Sequence, residues 1–209
     1  MAVTAETKSK GESTRDRILD AAERLVLAKG YTGTSVDDIL AATDLTKGAF
    51  FYHFKSKGDL ARVLVERFWR RDMALFETFW SEAEARTNDP LEQATIWFEQ
   101  FESAVSKMES SMVSCLFASY LYEREQFDPA ILDFIRDSFR EWSASYESRF
   151  ERILENRKAR IAITPRELAE IAICMIEGGF VLGQSYRDPK LVVRQSRHFR
   201  EYLGLLFGK

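Results

Sequence analysis

The chain has 209 residues, which is enough for one large domain or for a small domain followed by a larger one. Hydrophobic residues make up 45% and aromatic residues 13%, with only 4 Pro and 10 Gly, a composition that fits a compact helical protein and excludes a disordered one. The net charge of -3 disfavours nucleic acid as a partner, but it is unevenly distributed. Residues 1–71 hold 13 Lys plus Arg against 10 Asp plus Glu, whereas the remaining residues hold 17 against 23, so the N-terminal third is the basic part.

The sequence lacks the usual marks of an exported or membrane protein. No run approaches the roughly 18 apolar residues of a membrane span, and residues 1–12 carry charge where a signal peptide needs an apolar stretch. Cys115 and Cys174 are isolated thiols without CxxC spacing, which is more typical of buried apolar positions than of a disulfide. We therefore expect a cytoplasmic protein with no membrane partner.

Local signals define the first two helices. Residues 1–13 are polar and predict a flexible arm. Apolar residues then recur on one helical face and predict a first helix over about 15–29, which Gly30 ends as a left-handed cap. Ser35 and Asp38 have the spacing of a capping box, with Asp in place of the usual Glu or Gln, and predict the start of a second helix.

The next segment predicts a turn at 43–45 and a third helix capped by Thr46. Phe50 and Phe54 lie four residues apart and are expected to pack inward. The other faces of this helix would then carry Lys47, Phe51, Tyr52 and His53. Two short helices joined by a tight turn are the layout of a DNA-binding motif, in which the second helix fits the major groove.

The remainder of the chain also predicts helices, and most of them begin at a proline. A fourth helix is expected from Ser56 or Asp59 to about Arg86. The later starts are marked by Asn88-Asp89-Pro90, Asp128-Pro129, the Thr164–Glu167 capping box and Asp188-Pro189, with a further helix over about 112–124 and the seventh running to about 157. Strand-like alternation is absent over any useful length, so the predicted fold is all-α with about nine helices.

Charge supports DNA contact at the third helix. Residues 45–56 contain no acid, while Lys47, Lys55 and then Lys57 are present, so the local charge favours phosphate even though the global charge does not. A solvated surface run of lysines is the alternative explanation.

The residues Gly30-Tyr31, Thr34-Ser35-Val36 with Asp38-Ile39, and Thr46 to Lys57 with Asp59-Leu60 resemble the N-terminal domain of TetR/AcrR-family regulators. The resemblance covers about residues 14–62. It implies a three-helix DNA-binding domain over 14–60 and a helical effector-binding and dimerisation domain over 61–209. It further implies a homodimeric transcription factor, usually a repressor, that leaves double-stranded operator DNA when a small-molecule effector binds. No cofactor and no metal are predicted.

The family's DNA contacts can be transferred only to matching positions. The resemblance implies phosphate contacts at Thr34, Ser35, Tyr52, His53 and Lys57, and contacts to base edges or backbone at Thr46, Lys47 and Gly48. Phe51 departs from the Tyr that the family commonly has; it would either contact a thymine methyl or add to the core. Gly48 would either allow close backbone approach to DNA or simply be tolerated in a short helix. Aromatic packing is the alternative for Tyr52 and His53.

The C-terminal part offers candidates for two further sites. An apolar ligand pocket is predicted from Trp97, Phe101, Phe117, Tyr120, Phe134, Trp142 and Tyr146, although helical spacing alone favours a core role for each. Glu123, Arg124 and Gln184 are weaker polar candidates. The last two helices are more apolar than one subunit needs, which with the family resemblance predicts a dimer interface at Met175, Gly178, Gly179, Leu182, Phe199 and Leu203. The adjacent glycines predict either close approach of another helix or a local kink.

Three other functions are alternatives to ligand-controlled repression. An enzyme has no support, since the chain has no nucleophile elbow, no Gly-rich phosphate loop and only two histidines, His53 and His198. A helical protein-interaction module would lack salt-sensitive DNA binding. A thiol-responsive regulator would use Cys115 or Cys174.

Overall fold

The computed structural model describes residues 10–208, and within that range the ordered elements are nine α-helices and two single 3-10 turns. The predicted all-α fold is confirmed. The helices are α1 Lys10–Lys29, α2 Val36–Thr43, α3 Lys47–His53, α4 Lys57–Arg86, α5 Pro90–Ser106, α6 Leu116–Tyr122, α7 Pro129–Asn156, α8 Pro165–Tyr186 and α9 Leu191–Phe207. The 3-10 turns are Ser110–Met112 and Arg124–Gln126.

Most predicted helix boundaries are confirmed by capping geometry. Gly30 follows α1 with a left-handed φ of 79°. Ser35 and Asp38 form a complete capping box at α2, and the Thr46 side chain accepts a hydrogen bond from the Ala49 amide at α3. The Thr164–Glu167 capping box begins α8. These boundaries were predictable because each depends on residues within four positions of one another.

Three boundaries differ from prediction. Helix α1 begins at Lys10, so residues 10–13 belong to a helix and not to an arm; extending a formed helix costs less than nucleating one, and Glu12 suits its first turn. Residues 1–9 of the predicted arm lie outside the described range. Helix α6 is shorter than the predicted 112–124, because the chain forms separate 3-10 turns on both sides of it. Helix α9 begins at Leu191, two residues after Pro189.

One apolar core joins the N-terminal helices to the rest of the molecule. Ile18 of α1 and Phe50 of α3 belong to the same buried cluster as Phe117 and Tyr120 of α6. A second cluster fills the bundle of α4, α5, α7, α8 and α9. The 30-residue helix α4 contributes its first half to one core and its second half to the other, so a single helix connects both.

Helix α8 is an unusually apolar element. Among the described helices, α8 alone has the length and apolar composition that could cross a membrane. This finding differs from the expectation that no segment approaches a membrane span. Helix α8 packs along both α7 and α9, and little more than a quarter of its apolar window is buried within the chain. Much of its surface is therefore available to a partner.

Candidate DNA-binding surface and effector cavity

Helix α3 presents one buried and one exposed aromatic face. Phe50 and Phe54 are almost fully buried, whereas Phe51 is 52% and Tyr52 83% exposed. The Phe51 ring contacts Phe50 edge-on, with centroids 5.3 Å apart. Part of Phe51 therefore packs on the core, while the rest of the ring faces solvent. His53 is half-buried and packs edge-on against Tyr52 at 4.9 Å. The exposed rings form a surface that projects from the domain.

The beginning of α3 is open to solvent. Thr46, Lys47 and Gly48 are all exposed. The Lys47 ammonium lies 3.1 Å from the Asp37 carboxylate, and both side chains are about two-thirds exposed or more. Such a surface pair contributes about 0–1 kcal/mol, so Lys47 can exchange Asp37 for another anion at little cost. A Cβ atom on Gly48 would meet only Thr46 Oγ1, at 3.8 Å, so the fold itself does not require glycine there.

The structure corrects the role predicted for Thr34. Its side chain is fully buried, and its hydroxyl donates to the Gly30 carbonyl oxygen at 2.8 Å. Thr34 therefore stabilises the turn after α1 and offers no hydroxyl to a phosphate. Ser35 is exposed, but its hydroxyl exchanges hydrogen bonds with Asp38. The backbone hydrogen bond from Ser35, together with Lys29, holds the Asp38 pKa well below its ordinary value.

Lys57 is likewise committed within the chain. Its ammonium donates to the Tyr31 carbonyl oxygen at 2.6 Å and lies 3.9 Å from the centre of the Tyr31 ring. Burial lowers its pKa, and the Glu123 and Asp38 carboxylates partly oppose that shift. In this structure Lys57 holds the loop after α1, and its phosphate contact stays a prediction.

These contacts belong to an interdomain clasp, which we define as Tyr31, Thr32, Lys57 and Glu123. The Glu123 carboxylate, beyond the end of α6, accepts hydrogen bonds of 2.7 Å from the Tyr31 and Thr32 amides. The Tyr31 ring packs against Phe127, with centroids 4.5 Å apart. The clasp therefore ties the loop before α2 to the C-terminal domain.

Gly30 makes the clasp possible. A Cβ atom at this position would lie 2.6 Å from Glu123 Oε1, and the left-handed backbone also favours glycine. Burial raises the Glu123 pKa, but hydrogen bonds from Thr32 and Tyr31 and the charge of Lys57 outweigh that effect and lower it overall. Glu123 is thus a structural anion and not the pocket residue considered from sequence.

A cavity of about 550 Å³ lies between α1, α4, α5, α7 and α8. Its wall is mostly apolar and contains eight aromatic side chains: Phe68, Phe76, Phe79, Trp97, Phe101, Trp142, Tyr146 and Phe180. Exposed Met108 and Glu109 lie at its edge. Its dimensions and composition are typical of a site for a small organic molecule.

Four of the seven predicted pocket residues line this cavity: Trp97, Phe101, Trp142 and Tyr146. The prediction was wrong for Phe117, Tyr120 and Phe134. Phe117 and Tyr120 are fully buried in the core shared with the N-terminal helices, and Phe134 packs against that core. Helix α6 turns its aromatic face toward the DNA-binding domain, and sequence spacing does not specify that orientation. Gln184 does not line the cavity, but its side-chain amide donates to the hydroxyl of Ser114, which does.

The polar lining was missed from sequence. Arg71 of α4 pairs with Glu23 of α1, with a closest N–O distance of 2.7 Å, and its Nε lies 3.4 Å from Asp72. Glu177 of α8 also lines the cavity, and its Oε2 atom is buried without a hydrogen-bond partner within the described chain. The signal was available, because Glu177 is a single acid in an apolar stretch of α8.

The predicted dimer residues divide into two groups. Phe199, Leu203 and Gly179 are buried within the chain, and a Cβ atom on Gly179 would lie 2.8 Å from Val192 Cα. The close helix approach therefore occurs between α8 and α9 of one subunit. Gly178 and Leu182 lie on the outer face of α8, where a Cβ atom on Gly178 would meet only open space, whereas Met175 is half-buried and packs against the bundle core. Val181, Tyr186 and Leu205 are also exposed.

Together, the geometry defines a class: an all-helical protein with a small N-terminal helix-turn-helix domain and a cavity-bearing C-terminal bundle. The family model described as "Bacterial regulatory proteins, tetR family" matches residues 18–64. Residues 18–64 are therefore the DNA-binding domain of a TetR-family transcriptional regulator, and the relatives that share this domain are regulators and not enzymes.

Curated relatives share mainly the N-terminal segment. The chain is 44% identical over 54 residues to the HTH-type transcriptional regulator AcrR of Shigella flexneri, covering 26% of this chain and 25% of the relative. It is 39% identical over 64 residues to an HTH-type transcriptional regulator of Lactococcus lactis, covering 29% of this chain and 33% of the relative. The matches therefore span a quarter to a third of these relatives. LmrA of Bacillus subtilis is 27% identical over 185 residues, covering 86% of this chain and 90% of that relative.

Solved structures extend the likeness to the whole fold. A TetR-family regulator from Agrobacterium tumefaciens has a TM-score of 0.78 at 24% identity, covering 92% of this chain and 98% of its own. A TetR regulator from Chloroflexus aurantiacus has a TM-score of 0.77 at 23% identity, covering 94% and 97%. At these identities the likeness concerns the fold.

Proposed function

We propose that the protein is a cytoplasmic homodimeric repressor that binds a pseudo-palindromic operator through α3 and leaves it when a small organic effector occupies the cavity. The observation that carries the DNA-binding part is the exposed face of α3, a helix without acidic residues, with Lys47 and Tyr52. A short helix braced by α2 suits the major groove, and hydroxyl and ammonium groups suit phosphates and base edges.

Dimerisation is supported by the outer face of α8. Gly178, Val181 and Leu182 are accessible in the single chain, and an apolar helix face of this kind is stable when a second copy covers it. Two copies related by a two-fold axis would present two α3 helices to one side of the DNA. The expected operator has two half-sites in inverted orientation.

Effector control is supported by the connection between cavity and DNA-binding domain. Glu23 and Leu27 of α1 line the cavity directly, and α4 passes from the cavity to the core beneath α3. An effector acts only through unequal affinity for the DNA-bound and DNA-free states. Because α1 belongs to the DNA-binding domain, a ligand in contact with α1 would bind with different affinity if α1 shifts between the two states.

The thiol-responsive alternative has less support. Cys115 is buried, and burial together with the nearby Glu177 carboxylate raises its pKa well above the ordinary value, which disfavours the reactive thiolate. Cys174 is exposed on α8 of the single chain. Unchanged operator affinity after oxidation would exclude this trigger, whereas a loss that the Cys174→Ser variant prevents would support it.

The Lys47→Ala variant tests the DNA-binding surface. We expect operator affinity to fall about 10- to 100-fold, because a lysine contact to a guanine edge or phosphate contributes about 1–3 kcal/mol. The salt dependence of binding should also become shallower, since one fewer counterion is released. Fluorescence anisotropy with labelled operator at several salt concentrations measures both quantities.

Lys158→Ala is the matched control, because Lys158 is an exposed lysine in the loop before α8. Its operator affinity should equal that of the wild type. Equal affinity of Lys47→Ala and wild type, with an unchanged salt slope, would remove Lys47 from the DNA-binding surface.

A further inference from the structure

We propose that the cavity binds an apolar aromatic organic cation and that the Glu177 carboxylate is its counter-ion. The inference rests on the proposed effector role of the cavity and specifies the chemistry of the ligand. It follows from the charge balance, the buried Glu177 oxygen and the aromatic wall.

The charged groups of the cavity are unbalanced. Four acids line it, Glu23, Asp72, Glu109 and Glu177, against the single cation Arg71. Arg71 is already engaged, since its guanidinium contacts both Glu23 and Asp72. The excess negative charge of the cavity would repel an anionic ligand, whereas a cationic ligand would neutralise part of that charge.

Among the described residues, Glu177 is the buried acid of the cavity that forms no ion pair. Its Oε2 atom is buried and accepts no hydrogen bond from the described residues, which is unfavourable for an ionised carboxylate. Burial raises the Glu177 pKa to about 7, with the charge of Asp72 adding to the rise and a hydrogen bond to Cys115 opposing it. A positive charge in the cavity would therefore stabilise the ionised form of the Glu177 carboxyl group.

The wall suits the rest of such a ligand. Trp97, Trp142 and Tyr146 line the same cavity as the acids, and an organic cation is attracted to the face of an aromatic ring as well as to a carboxylate. Trp97 and Phe101 stack with ring planes 8° apart and centroids 5.7 Å apart, so the wall includes two parallel aromatic rings. The cavity thus matches a molecule that combines planar apolar area with one positive charge.

The test uses two probes of the same shape. (1-Naphthylmethyl)trimethylammonium carries a permanent charge, and 1-(2,2-dimethylpropyl)naphthalene replaces the nitrogen with carbon. We expect the full-length protein to bind the cation at least tenfold more tightly, measured by quenching of tryptophan fluorescence. In the Glu177→Gln variant that preference should disappear while affinity for the neutral probe stays unchanged.

Glu170→Gln is the matched control, because Glu170 lies on the same helix, is exposed and pairs with Arg166. It should keep the preference for the cation. Equal binding of the two probes by the wild type, binding of neither, or an unchanged preference in Glu177→Gln would each overturn the inference.

The pH dependence tests the same assignment on the wild-type protein. Cys115 and Asp72 act directly on Glu177, and the other titratable groups of the cavity lining are Glu23, Arg71, Glu109 and Tyr146. The cation requires ionised Glu177, so its affinity should fall roughly tenfold from pH 8 to pH 6, while the neutral probe changes little. Matching pH profiles for both probes would contradict the inference.

Operator binding without probe is measured on the same samples. If the wild-type protein binds operator but shows no preference for the cationic probe, the proposed ligand chemistry is rejected and the proposed regulatory function is unaffected. Loss of operator binding by the wild-type protein would instead contradict the proposed function.

Discussion

The Glu123→Ala variant is expected to lose about 1.5–3 kcal/mol of stability, the effect of removing a hydrogen bond between a charged and a neutral group. The Tyr31 amide is the more buried of its two partners and would be left without its acceptor. Lys57 would also lose the charge that its ammonium faces. Urea denaturation measures the loss, and amide hydrogen exchange should show reduced protection at Tyr31 and Thr32.

Glu125→Ala provides a matched control, because Glu125 is an exposed acid in the 3-10 turn that follows Glu123 directly. Its stability should stay within about 0.5 kcal/mol of the wild type. Wild-type protection of the Tyr31 amide in Glu123→Ala would show that the clasp does not hold in solution.

The clasp also has a predictable pH dependence. The Glu123 pKa is lower in the folded protein than its ordinary value of 4.5. Its contribution is therefore fully present above about pH 4.5 and is lost as the pH falls through the lower folded value. The difference in stability between wild type and Glu123→Ala should shrink in acid.

The Gly179→Ala variant is expected to lower the free energy of unfolding by about 1–3 kcal/mol, the usual cost of overpacking. The added methyl would lie 2.8 Å from Val192 Cα, and a backbone atom in a packed helix cannot move aside cheaply. For a chain of this size, each kcal/mol corresponds to a fall in Tm of roughly 2–4 °C.

Gly178→Ala is the natural comparison, because a methyl group at Gly178 meets no atom of its own chain. Alanine should favour the α8 helix by about 1 kcal/mol in the monomer. If the outer face of α8 is the dimer interface, this variant changes the dimer dissociation constant, whereas Gly179→Ala changes folding. A wild-type Tm for Gly179→Ala would contradict the close α8–α9 approach.

Sequence was most informative where the determinants are local. The caps at Ser35, Thr46 and Thr164 were predicted correctly because a capping side chain bonds an amide three residues ahead. The inward packing of Phe50 and Phe54 followed from helical spacing in the same way. The three-helix layout of the N-terminal domain was therefore available before the structure.

Sequence was least informative about features that depend on how one helix packs against another. Glu123 and Tyr31 are 92 residues apart, and no local pattern pairs them. Helical spacing marked Phe117 and Tyr120 as apolar but did not indicate which neighbour α6 faces. Thr34 matched a DNA-contact position of the family, yet its hydroxyl closes a turn.

Selection of bound fragments from genomic DNA, followed by titration of the enriched sequence at several salt concentrations, tests the proposed DNA binding most directly. We predict enrichment of an inverted repeat whose half-sites lie on one face of the duplex, bound by one dimer with an affinity that falls steeply with salt. Enrichment of no sequence, or binding that does not change with salt, would contradict the proposal that α3 is a DNA-binding helix.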